Sequence, residues 1–217
     1  MDIKYLGHSC FLIKSKKTKI ITDPFDPKMV GINLPRLEAD IVTISHQHND
    51  HNHLERIKNQ ALVINLPGEY EKNEVFITGY PTFHDNAQGK ERGENVIFKI
   101  QVEGVNILHC GDLGHNLSDD LLEQISDIDI LLIPTGGYYT IGPEEAVQIV
   151  NAIEPKIIVP MHYNNDKLNP QVFANLKPVK NFIEKMGLAD KDINRKDKLT
   201  EKDIPDFSEK QVVILSF

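Results

Sequence analysis

The chain has little cysteine, no long apolar run and no excess of basic charge, and each absence removes a class of protein. Two cysteines in 217 residues, Cys10 and Cys110, cannot build the disulfide framework of a small secreted domain. Both sit in apolar, strand-like contexts, so buried free thiols are expected. The longest apolar runs, such as residues 128–134, fall far short of the roughly 20 residues a bilayer-crossing helix needs. Met1-Asp2-Ile3-Lys4-Tyr5-Leu6 lacks the charged start and apolar core of a secretory signal, so a cytoplasmic location with no membrane attachment is expected. A formal net charge of −8 argues against a nucleic-acid partner, whose phosphates call for basic surface. It leaves an anionic small-molecule substrate open, because bound cations would make a pocket locally positive. No low-complexity linker interrupts the chain. With 40% hydrophobic residues, 1–217 suits one globular domain, and a homo-oligomer stays open.

What is present in abundance is histidine in one place. His46-Gln47-His48-Asn49-Asp50-His51 directly follows the apolar run Ile41-Val42-Thr43-Ile44. Imidazole nitrogen and carboxylate oxygen are the donors that borderline-soft divalent metals prefer, zinc above all. Alternation beyond a strand points His46 and His48 the same way, towards one ion. A turn then brings Asp50 and His51 round to a second. The motif reads as half of a two-metal site.

Organisation along the chain repeats itself. Residues 11–13 and 19–22 form a strand pair ending in Asp23-Pro24. Residues 96–102 and 105–108 form another, ending in Gly111-Asp112. An acid-led apolar strand follows each pair, Ala39-Asp40-Ile41-Val42 and Ile128-Asp129-Ile130-Leu131. Two β-rich halves packed face to face are expected, with Asp23 at the repeat position of Asp112. Helices are expected over 53–60, from an N-cap at Ser118, over 143–153 with proline at the first position, and over 180–186 ending at Gly187. Residues 188–206 are polar and lysine-rich and read as a surface excursion before a last strand over 211–217. Interleaved strands and helices with hairpins imply mixed sheets covered by helices, an α/β (α+β) class.

The pattern His-x-His-x-Asp-His after a strand resembles the signature of the metallo-β-lactamase-fold hydrolases. Later family elements follow in order: His84 in a loop, Asp112 at a strand end, and His162 in Val159-Pro160-Met161-His162-Tyr163. Tyr5-Leu6-Gly7-His8-Ser9-Cys10-Phe11 and Pro134-Thr135-Gly136-Gly137-Tyr138-Tyr139-Thr140 are similar to the small, single-domain branch that includes L-ascorbate-6-phosphate lactonase. The resemblance implies a four-layer αββα sandwich of two mixed sheets. It implies that His46, His48 and His84 bind one ion, that Asp50, His51 and His162 bind a second, and that Asp112 bridges them. Asp50 and Asp112 are then also the catalytic carboxylates. Two zinc ions are expected, with manganese, nickel or iron as alternatives. The implied activity is hydrolysis by a metal-bound hydroxide, on an ester, lactone or phosphoester of a small, anionic substrate.

The alternatives are a nuclease or phosphodiesterase, a thioesterase of the same superfamily, or a non-enzymatic metal-binding sensor. β-Lactam hydrolysis is disfavoured, since Asp112 stands where the secreted zinc enzymes commonly have cysteine. Around the ligands, His8 is expected at the pocket edge and Asp23 as a partner orienting a ligand histidine. His53 is expected to be solvated, whereas His109 and His115 carry no firm role. Lys90 and Arg92, in a polar glycine-containing loop after His84, are candidates for holding a substrate anion. Tyr138 and Tyr139 are candidates for lining the mouth of the site.

Overall fold

The computed structural model describes residues 1–204 and 210–217. Strands β1 (Asp2–Gly7), β2 (Cys10–Lys14), β3 (Lys19–Thr22), β4 (Ile41–Thr43) and β5 (Leu62–Ile64) come first. Then follow β6 (Gly68–Lys72), β7 (Val75–Phe83), β8 (Glu94–Val102), β9 (Val105–His109), β10 (Ile130–Pro134) and β11 (Ile157–Met161). The last are β12 (Asn194–Lys196), β13 (Leu199–Thr200) and β14 (Gln211–Leu215). The α-helices are α1 (Pro27–Val30), α2 (Asp119–Gln124), α3 (Pro143–Ile153), α4 (Pro170–Phe173) and α5 (Val179–Lys185).

Both sheets are mixed. One runs β13-β1-β2-β3-β4-β5 and the other β12-β14-β11-β10-β9-β8-β7-β6. The repeat seen in the sequence has a counterpart in the pairing. β2 and β3 are antiparallel and β4 joins β3 in parallel, just as β8 and β9 are antiparallel and β10 joins β9 in parallel.

Strand alternation divides the apolar residues between layers. In the first sheet Ile3, Tyr5, Phe11, Ile13, Ile20 and Ile41 face the second sheet, and their cluster continues through Phe98, Ile100 and Leu132. The intervening residues Cys10, Ile21 and Val42 point the other way, where they pack with Val30 of α1 and Phe173 of α4. On the far side, Ile149 and Val150 of α3 and Phe182 and Ile183 of α5 join the larger cluster. The layers are therefore helix, sheet, sheet, helix, as the resemblance implies. Cys10 and Cys110 are buried and unpaired, and burial pushes both thiols up.

Helix starts follow their chemistry. Ser118 accepts a hydrogen bond from Leu121 N at 3.3 Å, with Asp119 and Asp120 in the first turn of α2. Pro143 opens α3, and the Glu145 side chain reaches back to Gly142 N at 3.0 Å.

Two expectations need correction. The helix over 53–60 is only a 3₁₀ turn at Leu54–Arg56. Its backbone is diverted beyond that point: Leu37 N donates to Arg56 O and Lys58 N to Leu37 O, both at 2.8 Å, which makes the stretch an extended bridge. The excursion over 188–206 carries structure as far as it lies within the described residues (205 and 206 do not). β12 extends the second sheet beside β14, and β13 extends the first beside β1. Outer strands with a solvated face need no apolar alternation, so Asn194-Arg195-Lys196 gave no strand signal.

Candidate metal centre

One edge of the sandwich gathers the ends of several strands. Asp23 follows β3, the His46–His51 loop follows β4, His84 follows β7, Asp112 follows β9 and His162 follows β11. Cross-sheet hydrogen bonds fix this edge. Val96 N donates to Ser45 O at 2.8 Å, and His162 N donates to His8 O at 2.9 Å. Loops from different halves of the chain are thereby held against each other before any ligand is considered.

The seven histidines and aspartates named as ligands converge there. His46, His48 and His84 present ligand atoms within 4.8 Å of one another, and so do His46, His51 and Asp112. A third group joins Asp50, His51 and His162 and adds His8. Four imidazoles surround one carboxylate oxygen. Asp112 Oδ2 lies 3.2 Å from His162 Nε2, 3.3 Å from His51 Nε2, 3.3 Å from His84 Nε2 and 3.9 Å from His46 Nε2.

The surroundings fit metal ions. Nε2 of His46, His51 and His162, with Oδ1 of Asp112, is buried without a hydrogen-bond partner. Such orphaned groups carry a desolvation cost that a bound cation would offset. Meanwhile the other nitrogens of two of these rings are anchored. His51 Nδ1 lies 2.9 Å from Asp23 Oδ2, and His46 Nδ1 lies 2.9 Å from Ser45 Oγ. Ser45 Oγ in turn donates to Asp23 Oδ2 at 2.6 Å, and Ser45 N donates to Asp23 Oδ1 at 2.8 Å. One buried carboxylate thus sets the ring orientation of both histidines and turns each Nε2 towards the cavity.

Charge in the cluster is consistent with this. Burial pushes the His46 and His48 imidazoles down, and the neighbouring histidines push further, towards the neutral form that binds metal. Burial also acts on His51, yet the Asp112 and Asp50 carboxylates outweigh it and hold that ring well above the usual range. Against the cost of burial, His162 and His51 hold the Asp112 carboxyl well below its usual range, and His51 and His8 do the same for Asp50. Buried carboxylates thus demand positive charge, which the surrounding imidazoles supply in part.

Other candidates fall into place around the cluster. His8 Nε2 lies 3.1 Å from Asp50 Oδ2 in full burial, closer to the centre than the pocket edge expected. Burial, followed by the His162 charge, lowers that ring to about 4, so it is neutral. His53 belongs to none of the three groups, and its Nε2 lies 3.8 Å from Glu55 Oε2. His109 is buried behind the site, with Nε2 2.8 Å from Ser9 O. His115 Nε2 accepts from Phe83 N at 3.1 Å and steadies the end of β7. Arg92 and Tyr139 line a cavity with His48, Asp50, His84 and Asp112, whereas Lys90 and Tyr138 are exposed and outside that lining.

Three positioning residues carry no sequence signal. Ser45 links His46 to Asp23. Asn95 is buried, and its Oδ1 accepts from Asp112 N at 3.0 Å. Its Nδ2 donates to Thr82 Oγ1 at 2.8 Å and Cys110 O at 3.1 Å. The third, Asp85, organises the loop after His84.

The model of the beta-lactamase superfamily domain matches residues 2–162. The chain belongs to the metallo-β-lactamase superfamily. Within it, the chain is one of the UPF0173 metal-dependent hydrolases. The member from Thermococcus kodakarensis is 31% identical over 192 residues, spanning 76% of this chain and 85% of that protein. That from Methanocorpusculum labreanum is 28% identical over 228 residues, spanning 93% and 99%. A Thermotoga maritima crystal structure, assigned to the zinc-dependent hydrolases of this superfamily, is 39% identical with a TM-score of 0.80. That match covers 99% of this chain and 97% of the other. No helix among the described residues is long and apolar enough to cross a membrane.

The Asp23 relay makes a first prediction. In Asp23→Asn an NH2 group at the Oδ1 position would face the Ser45 N–H, so it takes the Oδ2 position, where it cannot accept from Ser45 Oγ and His51 Nδ1. His51 would be driven to the tautomer with its proton on Nε2, facing the cavity. Metal affinity, measured by chelator competition, is expected to fall about 10–100-fold with the fold intact. An unchanged affinity would show that Asp23 does not set these rings.

Proposed function

We propose that this chain, as one domain in the cytoplasm, is a dinuclear zinc hydrolase of small-molecule ester, lactone or phosphoester bonds. The reading follows the lactonase-like branch that the Tyr5–Phe11 and Pro134–Thr140 segments resemble. The observation that carries it is the buried, unpartnered set of imidazole nitrogens gathered around Asp112.

His46, His48 and His84 would hold one ion, Asp50, His51 and His162 the other, and Asp112 both. Bound there, zinc supplies Lewis acidity and brings the pKa of a coordinated water to about 7. The chain's own part is orientation and exclusion of water. Asp23 and Ser45 hold the His51 and His46 rings, Asn95 holds the Asp112 backbone, and His8 steadies Asp50. Phe173 and Val172 present apolar surface to the cavity, so a substrate entering it leaves water on that side.

Elemental analysis of the purified protein, followed by a screen of generic lactone, carboxylic ester and phosphodiester substrates, tests the proposal. About two equivalents of zinc and chelator-sensitive turnover of one substrate class are expected. Metal-replete protein that turns over none of them would favour a metal-binding sensor instead.

A further inference from the structure

The loop after His84 is not a loose polar excursion. Asp85 is buried, and its carboxylate accepts four backbone N–H groups. Oδ1 takes Ala87 N at 2.8 Å and Gly89 N at 2.9 Å, while Oδ2 takes Glu91 N at 3.0 Å and Arg92 N at 2.8 Å. Despite the cost of burial, those amides hold the Asp85 carboxyl below its usual range. The loop is wound around one side chain, and His84 N donating to Gly93 O at 3.0 Å closes it. The position of Arg92 relative to His84 is therefore fixed by the backbone.

The Arg92 side chain is fixed as well. Its Cζ lies 4.9 Å from the centroid of the Tyr139 ring, and Nη2 reaches Tyr138 O at 3.5 Å. Tyr139 is itself tethered, its hydroxyl donating to Val172 O at 2.8 Å. Among the described residues no carboxylate forms an ion pair with Arg92, and its one side-chain hydrogen bond, to Tyr138 O, leaves most donors of this half-buried guanidinium free.

Its location gives that cation a use. A cavity of about 320 Å³ holds Asp50, His84 and Asp112 on one side of it, and a cavity of about 570 Å³ holds Ser45, His46, Leu66 and Pro67 on the other. Arg92 and His48 line both. A molecule that reaches from one cavity into the other passes the guanidinium, and the part lying in the larger cavity meets the apolar Leu66-Pro67 rim.

We propose that Arg92, held by the Asp85-centred loop and the Tyr139 ring, selects substrates that carry an anionic oxygen group, carboxylate or phosphate, away from the bond that is broken. The inference rests on the hydrolase reading above and deepens it. A planar fork that is already ordered binds a carboxylate or phosphate through paired hydrogen bonds and loses little entropy in doing so. Anchoring at that point positions the electrophile against the centre. Lys90, exposed and outside both linings, has no part in this.

The test compares zinc-loaded wild-type protein with Arg92→Ala on two esters of equal leaving group, neutral 4-nitrophenyl butyrate and anionic 4-nitrophenyl hemiglutarate. R92A is expected to raise KM for the hemiglutarate about tenfold while changing that for the butyrate little. A second readout needs no turnover: calorimetric titration of the metal-free proteins with glutarate and with inorganic phosphate. Loss of about tenfold in affinity for glutarate identifies a carboxylate, and the same loss for phosphate identifies a phosphoryl group. Equal KM changes on both esters together with equal binding of both anions would overturn the assignment of Arg92. Absence of hydrolysis by the wild-type protein, with Arg92-dependent anion binding retained, would instead count against the hydrolase reading alone.

Discussion

Asp112→Ala is expected to empty the centre. In the folded protein Asp112 Oδ2 lies within 3.2–3.9 Å of four imidazole Nε2 atoms that come from three separate loops. No other described side chain reaches all of them. His46 and His51, which fall in different ligand groups, are joined in a third group by Asp112. Removing the carboxylate takes away the group that could serve both ions, and it takes away the charge that does most to raise the His51 pKa. Hydrolysis should fall by orders of magnitude, and zinc content by at least one equivalent. Circular dichroism should report an intact fold, because Asp112 itself contributes no apolar packing. His53→Ala is the control. That residue stands at the start of a short turn, its ring makes no cap hydrogen bond, and it lies outside all three ligand groups, so zinc content and turnover should stay near wild type. Equal losses in the two variants, with folding intact, would overturn the choice of ligands.

The convergence of these side chains is legible in the sequence because most lie just past an apolar run that reads as a strand, while His84 is placed only by its order in the family pattern. A strand end is a fixed point of the fold, so a His or Asp there has a predictable place once the sheets are paired. The same logic recovers Asp23, through its repeat relation to Asp112, and α3, through Pro143 and its apolar period. What stays hidden is whatever acts by a single hydrogen bond at a distance in sequence. Ser45 and Asn95 are small polar residues beside strands, indistinguishable from solvated ones until Asp23 and Asp112 are seen against them. Asp85 looks like one acid in a polar loop, and only the four amides around it show that it is the centre of that loop. The 3₁₀ turn after the metal loop fails for a related reason. Leu54 and Ile57 have helical spacing, but the bridge between Leu37 and Ile57 claims the backbone first.

Gly114→Ala should disable the site without touching any proposed ligand. Gly114 follows Asp112 by two residues, and its N–H donates to Phe83 O at 2.9 Å, directly before His84. A methyl group placed there would lie 2.2 Å from Asp85 N and 2.2 Å from His84 C. Both are backbone atoms, so no rotamer change relieves the contact. Either the turn bearing Asp112 or the loop bearing His84 must move, and the 3.3 Å approach of His84 Nε2 to Asp112 Oδ2 is lost with it. The cost should reach or exceed the upper end of the ~1–3 kcal/mol typical of overpacking. Gly104→Ala calibrates the measurement. At the tip of the β8–β9 hairpin a Cβ would meet nothing within 4 Å, and only the positive φ of 78° is strained. That strain costs about 1–2 kcal/mol and leaves the metal centre alone. Urea denaturation of both variants in chelator separates the two costs. Zinc titration should then show weakened binding in Gly114→Ala only. Similar stabilities and full zinc content in both would mean that the two loops can separate without disturbing His84, and the tight packing described for this edge of the sandwich would have no bearing on the metals.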